Sequence, residues 1–403
     1  MSEWKIITAE EFCDSVRDGT HDTPKPTENG YKLVTGKHLK NGVIDDTDAY
    51  YISESDYNKI NERSKVDQWD VLMSMIGTVG EVAVVKNRPC YAIKNVALFK
   101  CAGSELKGRW LAYYLNSPKA KGFFNGNQKG SSQQFLSLKQ LRNLPILVTE
   151  EPYMKYVVDI LSRYDSLIEN YQRQIKLLEE AAQRLYKEWF VDLRFPGYEN
   201  TKIVDGVPEG WVKRKMEEVC ETVGGGTPST KVDSYYEGGT INWVTPTDIT
   251  KNNSLCLLST EKKITKEGLD HSSAKMLPKE AILMTSRASV GYFGICDFEV
   301  CTNQGFISCV PFEGDFQMYL LYNLMNRVDE IRGKAGGSTY LEINKSVFRN
   351  FDIIYPSKII LSLFQDKTHR LLERTKTIAQ QIRLLSEARD RLLPKLMSGE
   401  IEV

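Results

Sequence analysis

Residues 174–185 read QIKLLEEAAQRL and residues 381–392 read QIRLLSEARDRL, with eight of twelve letters identical at a separation of 207. The separation is not confined to this segment. Trp4 and Trp211, Cys13 and Cys220, Val16 and Val223, Gly19-Thr20 and Gly226-Thr227, and Arg142-Asn143 and Arg349-Asn350 stand at the same distance. In the interior the register drifts, so that VLMSMIGTVG (71–80) resembles ILMTSRASVG (282–291) at an offset of 211. Matched ends around a drifting middle are what insertions and deletions leave in a duplicated unit. A period this long is domain duplication and not a solenoid repeat. The 403 residues are therefore two copies of one design, roughly 1–207 and 208–403.

Each copy has two parts. The first mixes short β-rich runs (VLMSMIG, VAVVK, AILMTS, GFISCV) with turn-rich segments and short helical patterns such as RWLAYYLNS, which predicts a compact α/β head with a twisted sheet. The second is a long helix. Leu161, Tyr164, Ile168, Tyr171, Ile175, Leu178, Ala182, Leu185 and Trp189 alternate steps of three and four, the heptad seam of a coiled coil. In copy two the matching seam is Thr368, Leu371, Thr375, Ile378, Ile382, Leu385, Arg389, Leu392 and Leu396, broken by two threonines and an arginine. The predicted fold class is α+β: two α/β domains with twisted sheets, separated by two long helices forming an antiparallel coiled coil, with a pseudo-two-fold internal duplication. The expected boundaries are head one at 1–150, first helical region at 151–193, linker at 194–210, head two at 211–356, and second helical region with its tail at 357–403. A helix from 155 to 190 would make a rod of about 50–55 Å. A fused bundle inside one body is the alternative. Pro394 is expected to interrupt the last helix, making LPKLMSGEIEV a helix end or docking tail instead of more rod.

Net charge is zero, from 53 bases and 53 acids, but it is unevenly spread. Residues 86–142 hold eleven Lys/Arg and the single acid Glu105, whereas 41–70 hold eight acids against three bases. Such a basic stretch suits a polyanion, or is simply a solvated face. The eight cysteines form no CxxC pair and read as reduced thiols, with no zinc site. With no run of eighteen apolar residues and an acidic N-terminus, the expectation is no membrane and a cytoplasmic protein. Four dispersed histidines, no GxxxxGK[ST] loop and no (N/D)PP(Y/F) tetrapeptide leave no catalytic residue and no metal site to expect. Asp248 followed by Glu261 and Lys263 echoes a nuclease D…ExK pattern only loosely.

Two diverged heads on a rod suit two half-sites on DNA, where paired modules mirror helical spacing. Small hydroxyl residues, amides and bases in the loops suit phosphates and base edges. In head one the candidates are Thr23, Lys25, Thr35, Lys37, Lys86, Arg88, Lys129, Ser131 and Gln133; Lys86, Arg88, Lys129 and Arg142 are expected to share a face with loop 18–42. In head two they are Thr227, Ser229, Thr230, Lys231, Thr245, Thr247, Arg287, Ser338 and Tyr340. Trp189, Phe190, Leu393 and Leu396 are candidates for docking partners, or for closing the ends of the coiled coil. A coiled-coil adaptor without DNA is a second reading.

The stretches GGGTPSTKVDSYYEGGTINWVTPTDI, VPEGW, QIKLLEEAAQRLYKEWFVDLRF and RDRLLPKLMSGEI closely resemble the DNA specificity subunit of Type I restriction–modification systems, in order and over nearly the whole chain. The resemblance implies a non-catalytic, DNA-recognising subunit with two target-recognition domains and two helical regions acting as a ruler. It implies a bipartite double-stranded DNA target. Two modification (methyltransferase) subunits and the restriction (translocase/endonuclease) subunits would be its partners. No cofactor is then expected in this chain: S-adenosylmethionine would belong to the modification subunits, ATP and Mg²⁺ to the restriction subunits.

Overall fold

The computed structural model describes residues 4–40, 42–127, 135–337 and 340–401. It divides into two compact units, Met1–Leu167 with Leu385–Val403, and Ile168–Leu384. In the first unit the edge strand Ser15–Asp18 pairs with Val96–Lys100, then Val71–Ser74, then Val82–Val84, all antiparallel. A second sheet places Tyr31–Thr35 between an antiparallel neighbour, Tyr51–Ile52, and a parallel one, Tyr91–Lys94. Lys5–Thr8 pairs with Pro145–Val148 and closes the head just before the long helix.

The second unit repeats this strand for strand. Cys220–Gly224, Phe306–Pro311, Ile282–Thr285 and Phe293–Cys296 follow the same order, with Cys256–Leu257 added in parallel at the far edge. Ile241–Val244 again sits between an antiparallel strand, Lys262–Ile264, and a parallel one, Cys301–Thr302. Val212–Lys215 and Asp352–Tyr355 close the second head as their counterparts close the first. The central strands are buried on both faces, which is why VLMS and ILMT read as continuous apolar runs without alternation.

The first long helix runs Glu151–Tyr186 and ends in a π-helical turn, Lys187–Val191. Its proline, Pro152, lies in the first turn, where no intrahelical donor is lost. The second runs Lys358–Ser398. Every seam position is buried or half-buried, including the breaks: Thr368 and Thr375 are as buried as their apolar neighbours. The Thr368 hydroxyl donates to the Phe364 carbonyl at 2.7 Å, so the helix itself satisfies its polar group. In the first unit Asp165 meets Arg389 and the Tyr153 hydroxyl donates to the Leu396 carbonyl, so the helices run antiparallel. In the second unit the Tyr186 and Phe364 rings lie 6.2 Å apart, again early-to-late.

Two expectations are corrected. The last helix is not interrupted at Pro394, and the segment after it is the helix end, which runs to Ser398. Leu393, Leu396 and Met397 are held in the apolar core of the first head with Trp110, Val157 and Leu161, and this packing outweighs the lost backbone donor. Consequently Leu393 and Leu396 are not free to dock a partner. Likewise Trp189 is buried, and Phe190 packs edge-on against Tyr319 and Phe364 in the core of the second unit.

Candidate nucleic-acid interface

In each head the chain leaves the edge strand through a glycine pressed onto a neighbouring segment. A Cβ at Gly19 would come 2.4 Å from the Ile93 carbonyl oxygen, and one at Gly226 would come 2.4 Å from the Ala274 nitrogen. Only glycine allows that approach. The loop beyond is tied to the residue that enters the next strand. The Thr227 hydroxyl donates to the Gln304 side chain. In head one Asn95, the counterpart of Gln304, is met from one position further along the loop: His21 Nδ1 lies 2.8 Å from Asn95 Oδ1, and its Nε2 lies 3.1 Å from Asp18. The matched residues Asn95 and Gln304 thus meet different loop side chains: Thr227 in head two and, from the position after Thr227's counterpart Thr20, His21 in head one. The sequence reading missed His21, Asn95 and Gln304; an offset of 209, which relates Asn95 to Gln304, would have marked two of them.

Head two opens a groove of about 510 Å³ beside this contact. Thr222, Ser286, Gln304, Glu342, Lys345 and Arg349 are among its lining residues. Lys345 stretches over Gly224, where a Cβ would sit 3.4 Å from its Nζ. Arg349 is fixed in the wall, with Nε donating to the Thr222 hydroxyl at 2.6 Å. Its counterpart Arg142 donates to the Val16 carbonyl at 3.2 Å. Both arginines thus clamp an edge strand, and Arg142 acts as a brace more than as part of an open basic face.

The sequence-selected residues divide by what occupies their polar groups. Ser229, Thr230, Lys231 and Thr247 are exposed on head two, and Lys25 and Arg88 on head one. Loop 226–231 is anchored from beneath: Trp243 Nε1 donates to the Gly226 carbonyl at 3.0 Å, and the Tyr236 hydroxyl to the Pro228 carbonyl at 2.7 Å. Arg287 is exposed, forms a bridge with Glu342 at 3.7 Å, and stands beside groove residue Ser286. Tyr340 is 59% exposed, two residues before Glu342. By contrast Thr35 and Thr245 are helix caps. Thr245 donates to Asp248 at 2.7 Å, and Thr35 faces His38 in the equivalent box. Lys37 is paired with Asp48 at 3.0 Å, and Thr23 accepts from Lys94. Lys94 and Thr35 are register partners at the exit of two parallel strands, whereas Lys86 and Arg88 precede the entry of Tyr91–Lys94. Lys129, Ser131, Gln133 and Ser338 lie outside the described residues.

The charge imbalance of head one is partly cancelled within it. Lys100 Nζ lies 2.5 Å from Asp67 and 2.6 Å from the buried Asp70. Burial pushes the Asp70 carboxyl upward, and Lys100 with the Asp67 and Cys101 amides opposes the shift. Lys32 pairs with Asp46 at 3.1 Å and Arg63 with Asp18 at 2.6 Å. Asp248 has one oxygen in the cap, and the other accepts the Glu261 amide at 2.8 Å.

A family model described as the Type I restriction modification DNA specificity domain matches residues 1–180 and again 208–383, once per copy. The chain is 34% identical over 183 residues to the type I restriction enzyme MjaIX specificity subunit of Methanocaldococcus jannaschii, a match spanning 42% of each chain. It is 24% identical over 328 residues to the HindI specificity subunit of Haemophilus influenzae, covering 66% of this chain and 71% of that protein. The S subunit of the type I restriction–modification system from M. genitalium shares the fold, with a TM-score of 0.54 at 14% identity, over 98% of this chain and 96% of that one.

Proposed function

The chain belongs to the Type I restriction modification DNA specificity family, and from that premise we infer that it reads a bipartite double-stranded DNA target, one half-site per head. The observation that carries this reading is the strand-for-strand repetition of the heads, in which the matched residues Asn95 and Gln304 are held by different loop partners, His21 and Thr227. A common backbone presenting different donors and acceptors suits two different short sequences. The helical regions set the spacing between the half-sites. The chain itself is non-catalytic. It works in the cytoplasm with two modification subunits, which supply S-adenosylmethionine, and with restriction subunits, which supply ATP and Mg²⁺.

The repeat also supports two copies of one docking partner. Tyr156 and Leu363, then Leu177 and Leu384, stand 207 apart and are all exposed, at 47% and 40%, then 58% and 59%. Large apolar side chains left in water at the same place on both helices suit two equivalent contacts. Leu177→Asp and Leu384→Asp are each expected to remove one modification subunit, read by native mass spectrometry; retention of both would refute this placement. The whole reading is tested by a methylome of a methylation-free host expressing the chain with its modification subunits. A single motif of two different blocks with a fixed gap supports it. A soluble complex that methylates nothing, and whose DNA affinity does not fall steeply with salt, would favour the adaptor.

A further inference from the structure

We propose that Glu280, His369 and Glu373 form a binding site for a divalent transition-metal ion that fastens the second long helix to the second head. Three groups from two elements converge there. His369 and Glu373 are four residues apart on the helix Lys358–Ser398 and so share one face. Glu280 reaches them from the turn before the strand Ile282–Thr285. The nitrogen and oxygen atoms that could bind an ion all lie within 4.8 Å of one another.

The best-defined pair already has the spacing an ion requires. His369 Nε2 lies 3.3 Å from Glu280 Oε1. Two ligands each about 2.1 Å from a tetrahedral ion lie roughly 3.4 Å apart. The backbone of Glu280 is held at both ends, its N–H donating to the Cys296 carbonyl at 2.7 Å and its carbonyl accepting from Gln317 at 2.8 Å. The origin of that side chain is therefore fixed before any ion arrives. One imidazole and two carboxylates suit zinc, cobalt or nickel better than a hard ion. The three side chains are 34–46% exposed, leaving room for water to complete the coordination. Lys376 is 3.5 Å from Glu373 but closer, at 3.0 Å, to Asp297, so it can release Glu373 and keep a partner.

The duplication supplies an independent comparison. The turn residue matching Glu280, at the offset of the neighbouring strand, is Trp69, and both adopt a left-handed backbone, φ 69° and 63°. The helix positions matching His369 and Glu373 are Ser162 and Ser166. The backbone is common to both copies, whereas all three ligand types occur in the second copy and none in the first.

The test uses the full chain in complex with its modification subunits, in a Cys90→Ser background that removes an exposed thiol. Cobalt is titrated and read by visible absorption, with zinc titrated by calorimetry. One equivalent per specificity chain is expected, and it should vanish in His369→Ala and weaken at least about tenfold in Glu280→Gln. The Tm in EDTA should be the same for parent and variants, and zinc should raise it only in the parent. Absence of stoichiometric binding by the parent at about 100 µM metal, or unchanged binding by His369→Ala, overturns the proposal. Because the readout is metal binding, it stands or falls separately from DNA recognition.

Discussion

Arg389 breaks the apolar seam of the second long helix, and its contacts give the break a measurable value. Its Nη1 lies 2.8 Å from Asp165 Oδ1 on the first long helix, and the Tyr113 hydroxyl donates to Asp165 Oδ2 at 2.6 Å. The Arg389 and Asp165 side chains are 31% and 21% exposed, between a surface pair and a buried one. An exposed ion pair contributes about 0–1 kcal/mol, whereas a hydrogen bond to a charged group contributes about 1.5–3 kcal/mol. Arg389→Ala also leaves a partly buried carboxylate with only the tyrosine. The expected loss is about 2 kcal/mol, roughly thirtyfold in the unfolding equilibrium. Arg389→Met keeps the apolar stem over the seam and should recover the packing share of that loss. Asp165→Asn, which keeps an acceptor for Tyr113, should cost less than Arg389→Ala. The assay is urea unfolding of the single and double variants, followed by tryptophan fluorescence. A coupling energy of about 1–2 kcal/mol is expected; a value below about 0.3 kcal/mol would mean the two changes are independent and the ion pair does not hold the helices.

Gln304→Ala should alter base preference in the half-site read by head two and leave the other half-site unchanged, as scored by methylome; changes in both blocks would refute the assignment. Ile175 is 3% exposed in the seam, so Ile175→Asp places an unpaired carboxylate in an apolar contact at a cost of at least about 3 kcal/mol, and intact methylation by that variant would sink the paired-helix model. Lys213 and Lys215 hold the Asp352 carboxyl down, from 3.8 to about 2. A depressed folded value contributes stability above the unfolded value that is lost as pH falls through the folded one, so Val212–Lys215 should loosen between about pH 4 and 2. Hydrogen exchange of that strand should show this in the parent, and Asp352→Asn should lack the pH step.

The candidate interface was legible only in part, and the reason lies in what each side chain bonds. Thr227, Ser229, Thr230, Lys231 and Arg287 are candidates from composition and symmetry, and all are exposed. Thr35 and Thr245 have the same chemistry but are committed to caps three residues away. The basic run that pointed to DNA includes Lys100, which is held by two aspartates about thirty residues earlier in the chain. Hydroxyl and basic residues look alike in sequence whether they face solvent or a neighbour.

The chain by itself determined the duplication, the strand-forming runs and the two seams, because each is written in short windows whose periodicity local backbone geometry enforces. The seam's threonines are buried and its arginine half-buried, since the heptad position and not the residue type sets the face. Only the tertiary structure decided which polar groups remain free, and that Leu393 and Leu396 complete the core of the first head. It also brought Glu280 to His369 across 89 residues. Such pairings depend on where closed sheets and packed helices deliver distant segments, and no local pattern records that.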